Sequence, residues 1–258
     1  MAVGAHVDSD DPIAEARARG ADHVQIFLSD PQSWRKPATR SDAAELAASP
    51  IPIYVHAPYL INVAAEASRI RIPSRRILHE TCEAAAAIGA AAVVVHGGYL
   101  TGEGSITDAY PRWRKALLEL DTGIPVLIEN TAGGDNAVAR RVESIALLWE
   151  EVGDLGPGFV LDTCHAWAGG EPVDELVGRV LAATGRIDLV HCNDSRDPFD
   201  SRRDRHANLG QGRIPIDLIA AVLEQAAAPV VVETPGGVEE HVADMEYVRS
   251  RTARIPAG

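Results

Sequence analysis

Six short apolar runs in this sequence each stop on a side chain that can bind a metal ion. "IPIYVH" ends on His56, "AVVVH" on His96, "IPVLIE" on Glu129, "GFVLD" on Asp162, "IDLVH" on His191 and "PVVVE" on Glu233. A lone histidine or acid in such a place is more often a satisfied polar residue than a ligand. Six in succession are different, because carboxylates and imidazoles crowded into one volume repel, lose hydration and shift their titration. A cation removes that conflict. Two further stretches extend the set: "FVLDTCHAWAGG" puts His165 three residues past Asp162, and "DRH" supplies Asp204 and His206. Each has a competing reading. Asp162 could cap a helix, with His165 incidental in the loop that follows, and Asp204 could pair with Arg203 or Arg205. Five histidines and four carboxylates, with no cysteine among them, suit zinc, and manganese or iron less well. Nine donors are too many for one ion of about four or five ligands. Three ions are the natural division, with Glu129 or Glu233 able to bridge two.

The elements that must position these residues follow from the same runs. With "VGAHV" (3–7) and "VQIFL" (24–28) they make eight β-rich segments, mostly continuous apolar runs of the kind buried on both faces. Helical segments alternate with them. "DPIAEARARG" has Pro12 at a first helical position and Gly20 as a stop, and "PSRRILHETCEAAAAIG" is expected to run from Pro73 to Gly89. Eight strand–helix units of roughly 30 residues predict an α/β fold, a single-domain (β/α)8 TIM barrel over residues 1–258. A doubly wound open sheet is the alternative, and the count of eight favours closure. A parallel barrel gathers all strand C-termini on one face, so the six terminal donors converge there. The connection "CNDSRDPFDSRRDRHANLGQGR" is long, and long structureless connections are usually functional.

Composition narrows the function class. Of 258 residues 46% are hydrophobic but only 5% aromatic, so the core must be aliphatic. The net charge of −13 argues weakly against a DNA-coated protein, although carboxylates committed to metals do not present as free charge. Basic residues cluster after strands, in "SWRKPATR", "ASRIRIPSRR" and the long connection, and are expected on or near the pocket face. Three separated cysteines without a C-x-x-C pair point to a reducing compartment rather than a disulfide framework. Cys164 and Cys192 are expected to be packing residues. No signal-peptide pattern and no run of ~18 apolar residues is visible, so a cytoplasmic protein without membrane contact is expected, by default a monomer. His6 is expected behind the ligands or in packing, and His23, His79 and His241 at the surface. No Walker or dinucleotide pattern and no serine triad is present, and Gly97–Gly98 and Gly133–Gly134 resemble phosphate loops only superficially.

The stretches "GAHV", "HAPYLIN", "IENTAGG", "LDTCHAWAGG", "HCNDS" and "DRHANLGQG" occur in the order in which they occur in endonuclease IV. Over essentially its whole length the chain resembles that family of zinc-dependent apurinic/apyrimidinic endonucleases built on a TIM barrel. The resemblance implies three zinc ions, one of them replaceable by manganese. His56, His96 and Glu129 would hold the first. Glu129 would bridge to the second, which also takes Asp162, His191 and Glu233. His165, Asp204 and His206 would hold the third. It implies a DNA-repair enzyme that uses a metal-activated water to hydrolyse the phosphodiester 5′ to an abasic site in duplex DNA, leaving a 3′-hydroxyl and a 5′-deoxyribose phosphate. The same site would clean blocked 3′ ends, with Glu129 and Glu233 as catalytic carboxylates. Tyr59 and Leu60 would wedge into the base stack, and Gln32, Trp34, Arg35 and Arg205 would face the DNA. Gln32 departs from the basic residue often found there in the family, which bears on how the duplex is bent. Two rival readings remain. A sugar isomerase or epimerase of the xylose-isomerase-like barrels would use one or two ions and would not need His165 with "DRH". A non-catalytic lesion binder would keep the basic loops and Tyr59 but could lose ligands.

Overall fold

The apolar runs pair in parallel and close on themselves. The computed structural model describes residues 1–102, 104–134 and 136–252. Its strands are β1 (Val3–His6), β2 (Val24–Phe27), β3 (Ile53–His56), β4 (Ala92–His96), β5 (Val126–Glu129), β6 (Gly158–Asp162), β7 (Leu189–His191), β8 (Asp194–Ser195), β9 (His206–Ala207) and β10 (Val230–Val232). Around the closed barrel the order is β1, β2, β3, β4, β5, β6, β7 and β10, every pairing parallel. The helices are α1 (Pro12–Arg19), α2 (Ala43–Ala47), α3 (Ser68–Ala87), α4 (Tyr110–Leu118), α5 (Val142–Val152), α6 (Thr163–Ala168), α7 (Leu176–Thr184), α8 (Ile216–Ala226) and α9 (Val238–Thr252).

Alternation along the strands separates two cores. Outward residues such as Val3, Val24, Ile26, Val55, Val93, Ile128 and Leu161 join the helices in one large apolar cluster. Inward residues Ala92, Val94, Leu127, Val160, Leu189 and Val231, with Tyr54 against them, make a small separate one that floors the barrel. The next inward positions are the donors at the strand ends. Register sets them side by side: His96 is opposite Glu129 across β4 and β5, and Asp162 is opposite His191 across β6 and β7.

Local signals place α1 where the sequence does. Asp11 accepts from the amide of Ala14 at 2.9 Å, Pro12 opens the helix, and Gly20 ends it at φ 60°. Elsewhere the elements differ from expectation. Helix α3 begins at Ser68 rather than Pro73, which lies inside it. Inside the helix, proline removes the bond that the Arg69 carbonyl would have received, and its ring crowds that carbonyl. The next residue, Ser74, ties its hydroxyl to the Ile70 carbonyl at 2.8 Å. The long connection after β7 is not structureless, since β8 pairs antiparallel with β9. His165 lies on the short helix α6, not in a loop. His23 and His241, expected at the surface, are buried. His23 sits edge-on to the Tyr54 ring at 5.3 Å. His241 is held between Arg19 Nε (3.0 Å) and the Thr234 carbonyl (2.8 Å), so both ring nitrogens find partners away from water. Among the described residues no helix is long and apolar enough to cross a membrane.

Candidate metal centre

Glu129 is the hub. It is fully buried, and four imidazoles surround its carboxylate. Oε2 lies 3.1 Å from His56 Nε2 and 3.3 Å from His96 Nε2. Oε1 lies 2.9 Å from His191 Nδ1 and 3.2 Å from His165 Nδ1. Glu233, one residue past β10, brings Oε2 to 3.1 Å from His191 Nδ1. Asp204 reaches in from the long connection, with Oδ2 3.1 Å from His165 Nε2 and Oδ1 3.1 Å from His206 Nε2. All nine residues singled out in the sequence therefore meet in one place. The donor atoms of His56, His96 and Glu129 lie within 4.8 Å of one another, and so do those of Glu129, Asp162, His191 and Glu233, and those of Asp162, His165 and His206.

The competing readings resolve in two ways. Asp162 does cap a helix: Oδ1 accepts from the His165 amide at 2.5 Å. Its other oxygen, Oδ2, accepts from Asn193 at 2.7 Å and faces the site, 3.8 Å from His206 Nε2. Capping and site chemistry thus use different atoms of one carboxylate. The ion pair suggested for Asp204 goes elsewhere, since Arg205 grips Asp197 through two bonds of 2.7 and 2.6 Å. Cys164 also lies within reach of Asp204 and His206. Burial pushes its thiol up to about 12, with Asp162 adding to the effect, so it packs as a neutral group.

Electrostatics show what the cluster demands. Burial alone would lower the His191 imidazole, but Glu233 and Glu129 outweigh it and hold the ring protonated well above the usual range. At His165 burial is likewise outweighed by Asp162 and Asp204. His206 is raised to about 9, burial again being overcome by its acidic neighbours, Asp204 foremost. Burial works against Glu129 as a carboxylate, yet His191 and His96 hold it well below its ordinary value. In Asp162 burial wins, and its carboxyl is raised. In the protein alone, protons on imidazoles supply the positive charge that the buried carboxylates demand.

Ring orientation tests whether cations suit the same place. A neutral histidine carries its proton on one nitrogen and a lone pair on the other. His56 Nδ1 faces the Ala57 carbonyl at 2.7 Å, His165 Nδ1 the Asn130 carbonyl at 2.9 Å, and His206 Nδ1 the Glu233 carbonyl at 3.2 Å. Each acceptor fixes the proton on the outer nitrogen and turns the lone pair of Nε2 into the site, the usual support of a ligating histidine. His206 Nε2 is buried and has no aligned hydrogen-bond partner in the protein. The residues fit divalent ions with nitrogen and oxygen donors.

Three amides, at Asn130, Asn193 and Gln25, hold the donors and are not among the residues that the sequence singles out. Asn130 accepts from the Asp162 amide at 2.7 Å and donates to the Asp162 carbonyl at 3.0 Å. Asn193 donates to Asp162 Oδ2 at 2.7 Å and to Glu233 Oε2 at 3.3 Å, while accepting from the Glu233 amide at 2.9 Å. Gln25 touches Glu233 and His191. The available signal was position. Asn130 and Asn193 each lie within two residues of a donor, and Gln25 breaks an apolar strand.

At the rim, Tyr59 is half exposed and stacks on His96 with ring centroids 5.7 Å apart and planes 17° apart. Leu60 beside it is half-buried. The Tyr59 amide bonds the Pro31 carbonyl at 3.0 Å, which brings the exposed Gln32, Trp34 and Arg35 segment next to it. Between Tyr59, His96, Tyr99, Gly133, Arg202 and Asp204 the cluster opens into a pocket of about 480 Å³. Not every basic residue lies on this face. Arg75 and Arg76 line a groove between α3 and α4, where Arg75 pairs with Glu119, and Arg40 pairs with Asp42 at 2.6 Å. The early start of α3 puts Arg69 and Arg71 on the helix instead of in a loop before it, with Arg75 and Arg76 further along its shaft.

Fold and site together define a xylose isomerase-like TIM barrel with a buried ring of histidines and acids, and the family of that description matches residues 13–251. The probable endonuclease 4 of Mycobacterium leprae (strain Br4923) is 57% identical over 253 residues, 98% of this chain and 100% of that protein. The crystal structure of endonuclease IV from Thermus thermophilus superposes with a TM-score of 0.82 at 33% identity, over 99% of this chain and 100% of that one. A D-tagatose 3-epimerase-like protein also superposes, with a TM-score of 0.80 over 98% of this chain and 97% of that one, but at 19% identity it shows the fold alone. The chain belongs to the endonuclease IV family.

Proposed function

We propose that this protein is a DNA-repair nuclease that hydrolyses the phosphodiester 5′ to abasic sites in duplex DNA, leaving a 3′-hydroxyl and a 5′-deoxyribose phosphate, and that the same site cleans blocked 3′ ends. The complete nine-residue cluster in a member of this family carries the reading. We assign His56, His96 and Glu129 to one zinc, Glu129, Asp162, His191 and Glu233 to a second, and His165, Asp204 and His206 to a third. Zinc bound there supplies water activated near neutral pH and offsets charge growing on the phosphate and on the departing 3′ oxygen.

The chain's own residues do the rest. Glu233 is held by the Asn193 side chain at its amide and reaches the centre of the cluster, where it orients the attacking water. A base-free sugar must leave the stack to enter a pocket, and it does so cheaply because no base pair is broken. Tyr59 and Leu60 stand at the mouth to fill the gap in the duplex, with Gln32, Trp34, Arg35 and Arg205 beside them on the DNA. Monomeric action on a single duplex fits this arrangement.

The sugar-isomerase reading shares the barrel, as the epimerase-like superposition shows for the fold. It leaves His165, Asp204 and His206 without a task. The test is to incubate the purified protein, without added magnesium, with a labelled duplex holding one abasic site, and to map the cut end. Cleavage 5′ to the site with a 3′-hydroxyl is the expected result. Zinc-replete protein that leaves the duplex intact would overturn the proposal and direct assays to sugar phosphates.

A further inference from the structure

Behind the cluster, Gln25 occupies a place where packing alone calls for an apolar residue. It lies on β2, faces the barrel interior and is fully buried. The floor around that level is built of valine and leucine, and a buried amide is costly unless bonded. Gln25 is bonded completely. Nε2 donates to Glu233 Oε1 at 2.6 Å and lies 3.0 Å from His6 Nδ1, while Oε1 lies 2.9 Å from His191 Nε2.

These contacts dictate proton positions. An amide oxygen only accepts, so His191 Nε2 must carry hydrogen. The lone pair of the neutral ring is then on Nδ1, which points at Glu129 Oε1 (2.9 Å) and Glu233 Oε2 (3.1 Å). Reversing the amide would set its oxygen against the Glu233 carboxylate, acceptor to acceptor, so the partners fix its orientation. Glu233 is divided in the same way: Oε1 is taken by Gln25, and Oε2 is left toward His191. His191 thus runs opposite to His56, His165 and His206, whose Nδ1 atoms face backbone carbonyls. Those three tautomers are set by main chain. The His191 tautomer is set by one side chain.

We infer that Gln25 is a positioning residue for the ion assigned to Glu129, Asp162, His191 and Glu233. It makes His191 a ligand through Nδ1 and turns Glu233 Oε2 to the same ion. The inference rests on the metal reading of the proposed function and names a determinant of one ion position.

Gln25→Met fills the same volume without hydrogen bonds. Three measurements on the full-length protein test it: zinc content, zinc dissociation constants by chelator competition, and the His191 tautomer by long-range 1H–15N correlation in the zinc-loaded state. In wild type His191 should show a protonated Nε2 and a zinc-bound Nδ1. In the variant one of the zinc ions should bind about 10- to 100-fold more weakly, with the His191 pattern altered. Melting of the zinc-stripped variant beside stripped wild type separates the cost of the lost hydrogen bonds to the fold from the loss of the ion. Unchanged zinc constants and tautomer, or a wild-type His191 bound through Nε2, would overturn the inference. If Gln25→Met does not fold, Gln25→Glu keeps the acceptor for His191 and removes the donor to Glu233. It should retain the tautomer and weaken the same ion, and equal affinity would count against the role of Gln25. Wild-type protein holding no tight zinc would instead sink the metal reading itself.

Discussion

His206 Nε2 lies 3.1 Å from Asp204 Oδ1 but is not aligned with it for a hydrogen bond. The two belong to the most open part of the cluster, where the Asp204 side chain is 47% exposed while Glu129 and Asp162 are fully buried. Ligands that water can reach release an ion sooner than ligands sealed beneath it.

Metal loss should therefore be stepwise. Titration with a chelator, followed by metal analysis, should remove one zinc first and two later. Asp204→Asn should retain two ions and lose incision by about two orders of magnitude, the scale of losing one electrostatic stabiliser of the transition state. Simultaneous loss of all ions in that variant would contradict the division proposed here.

Glu233→Gln keeps the shape of the side chain and discards its charge. Binding to an abasic duplex should persist, and single-turnover incision should fall about 10²- to 10⁴-fold, as for removal of a group that orients or activates the attacking water. Turnover close to wild type would refute the role given to this carboxylate.

Tyr59 stacks on His96 yet is half exposed, and the proposed function sets it against DNA. Tyr59→Ala should leave zinc content unchanged and weaken binding of an abasic duplex by about 5- to 150-fold, since stacking on an aromatic contributes about 1–3 kcal/mol. Equal affinities for wild type and variant in an anisotropy titration would place Tyr59 outside the interface.

Acid should act on the fold through His23. Burial lowers this ring from 6.5 to about 4, and its Nε2 has no partner in the protein. Above pH 6.5 neither state is charged, and the ring has no effect on the pH dependence. As pH falls from 6.5 to 4 the unfolded chain binds a proton that the folded one refuses, so stability drops by up to about 3 kcal/mol. His23→Leu should flatten that part of the acid limb in urea melts of zinc-stripped protein. A variant with the wild-type slope between pH 6.5 and 4 would show that His23 is not the group responsible.

Legibility followed chain distance. The donors at strand ends could be read because apolar runs mark the strands and alternation turns their last residues inward. Asp204 and His206 were readable as a short pattern in an over-long connection. Gln25 breaks an apolar strand, which marks it as unusual, but its meaning lies in partners 166 and 208 residues away that local sequence does not name. Helix α3 starts before its proline, because proline's preference for a first helical position is only a preference, and Pro73 lies inside the helix against it. His23 and His241 were misjudged because burial of a histidine depends on whether a tertiary neighbour meets its ring, which local sequence does not encode.

The barrel closes only when β1 pairs with β10, joining the two ends of the described chain. The donors come from β3 through the residue after β10, so a chain that has not yet placed β10 lacks Glu233 at the cluster. Under the proposed chemistry, a nascent or damaged copy of this protein could touch DNA through its rim loops and yet be unable to cut it. Placement of the last strand would then serve as a safety interlock, licensing strand scission only once Glu233 is in position.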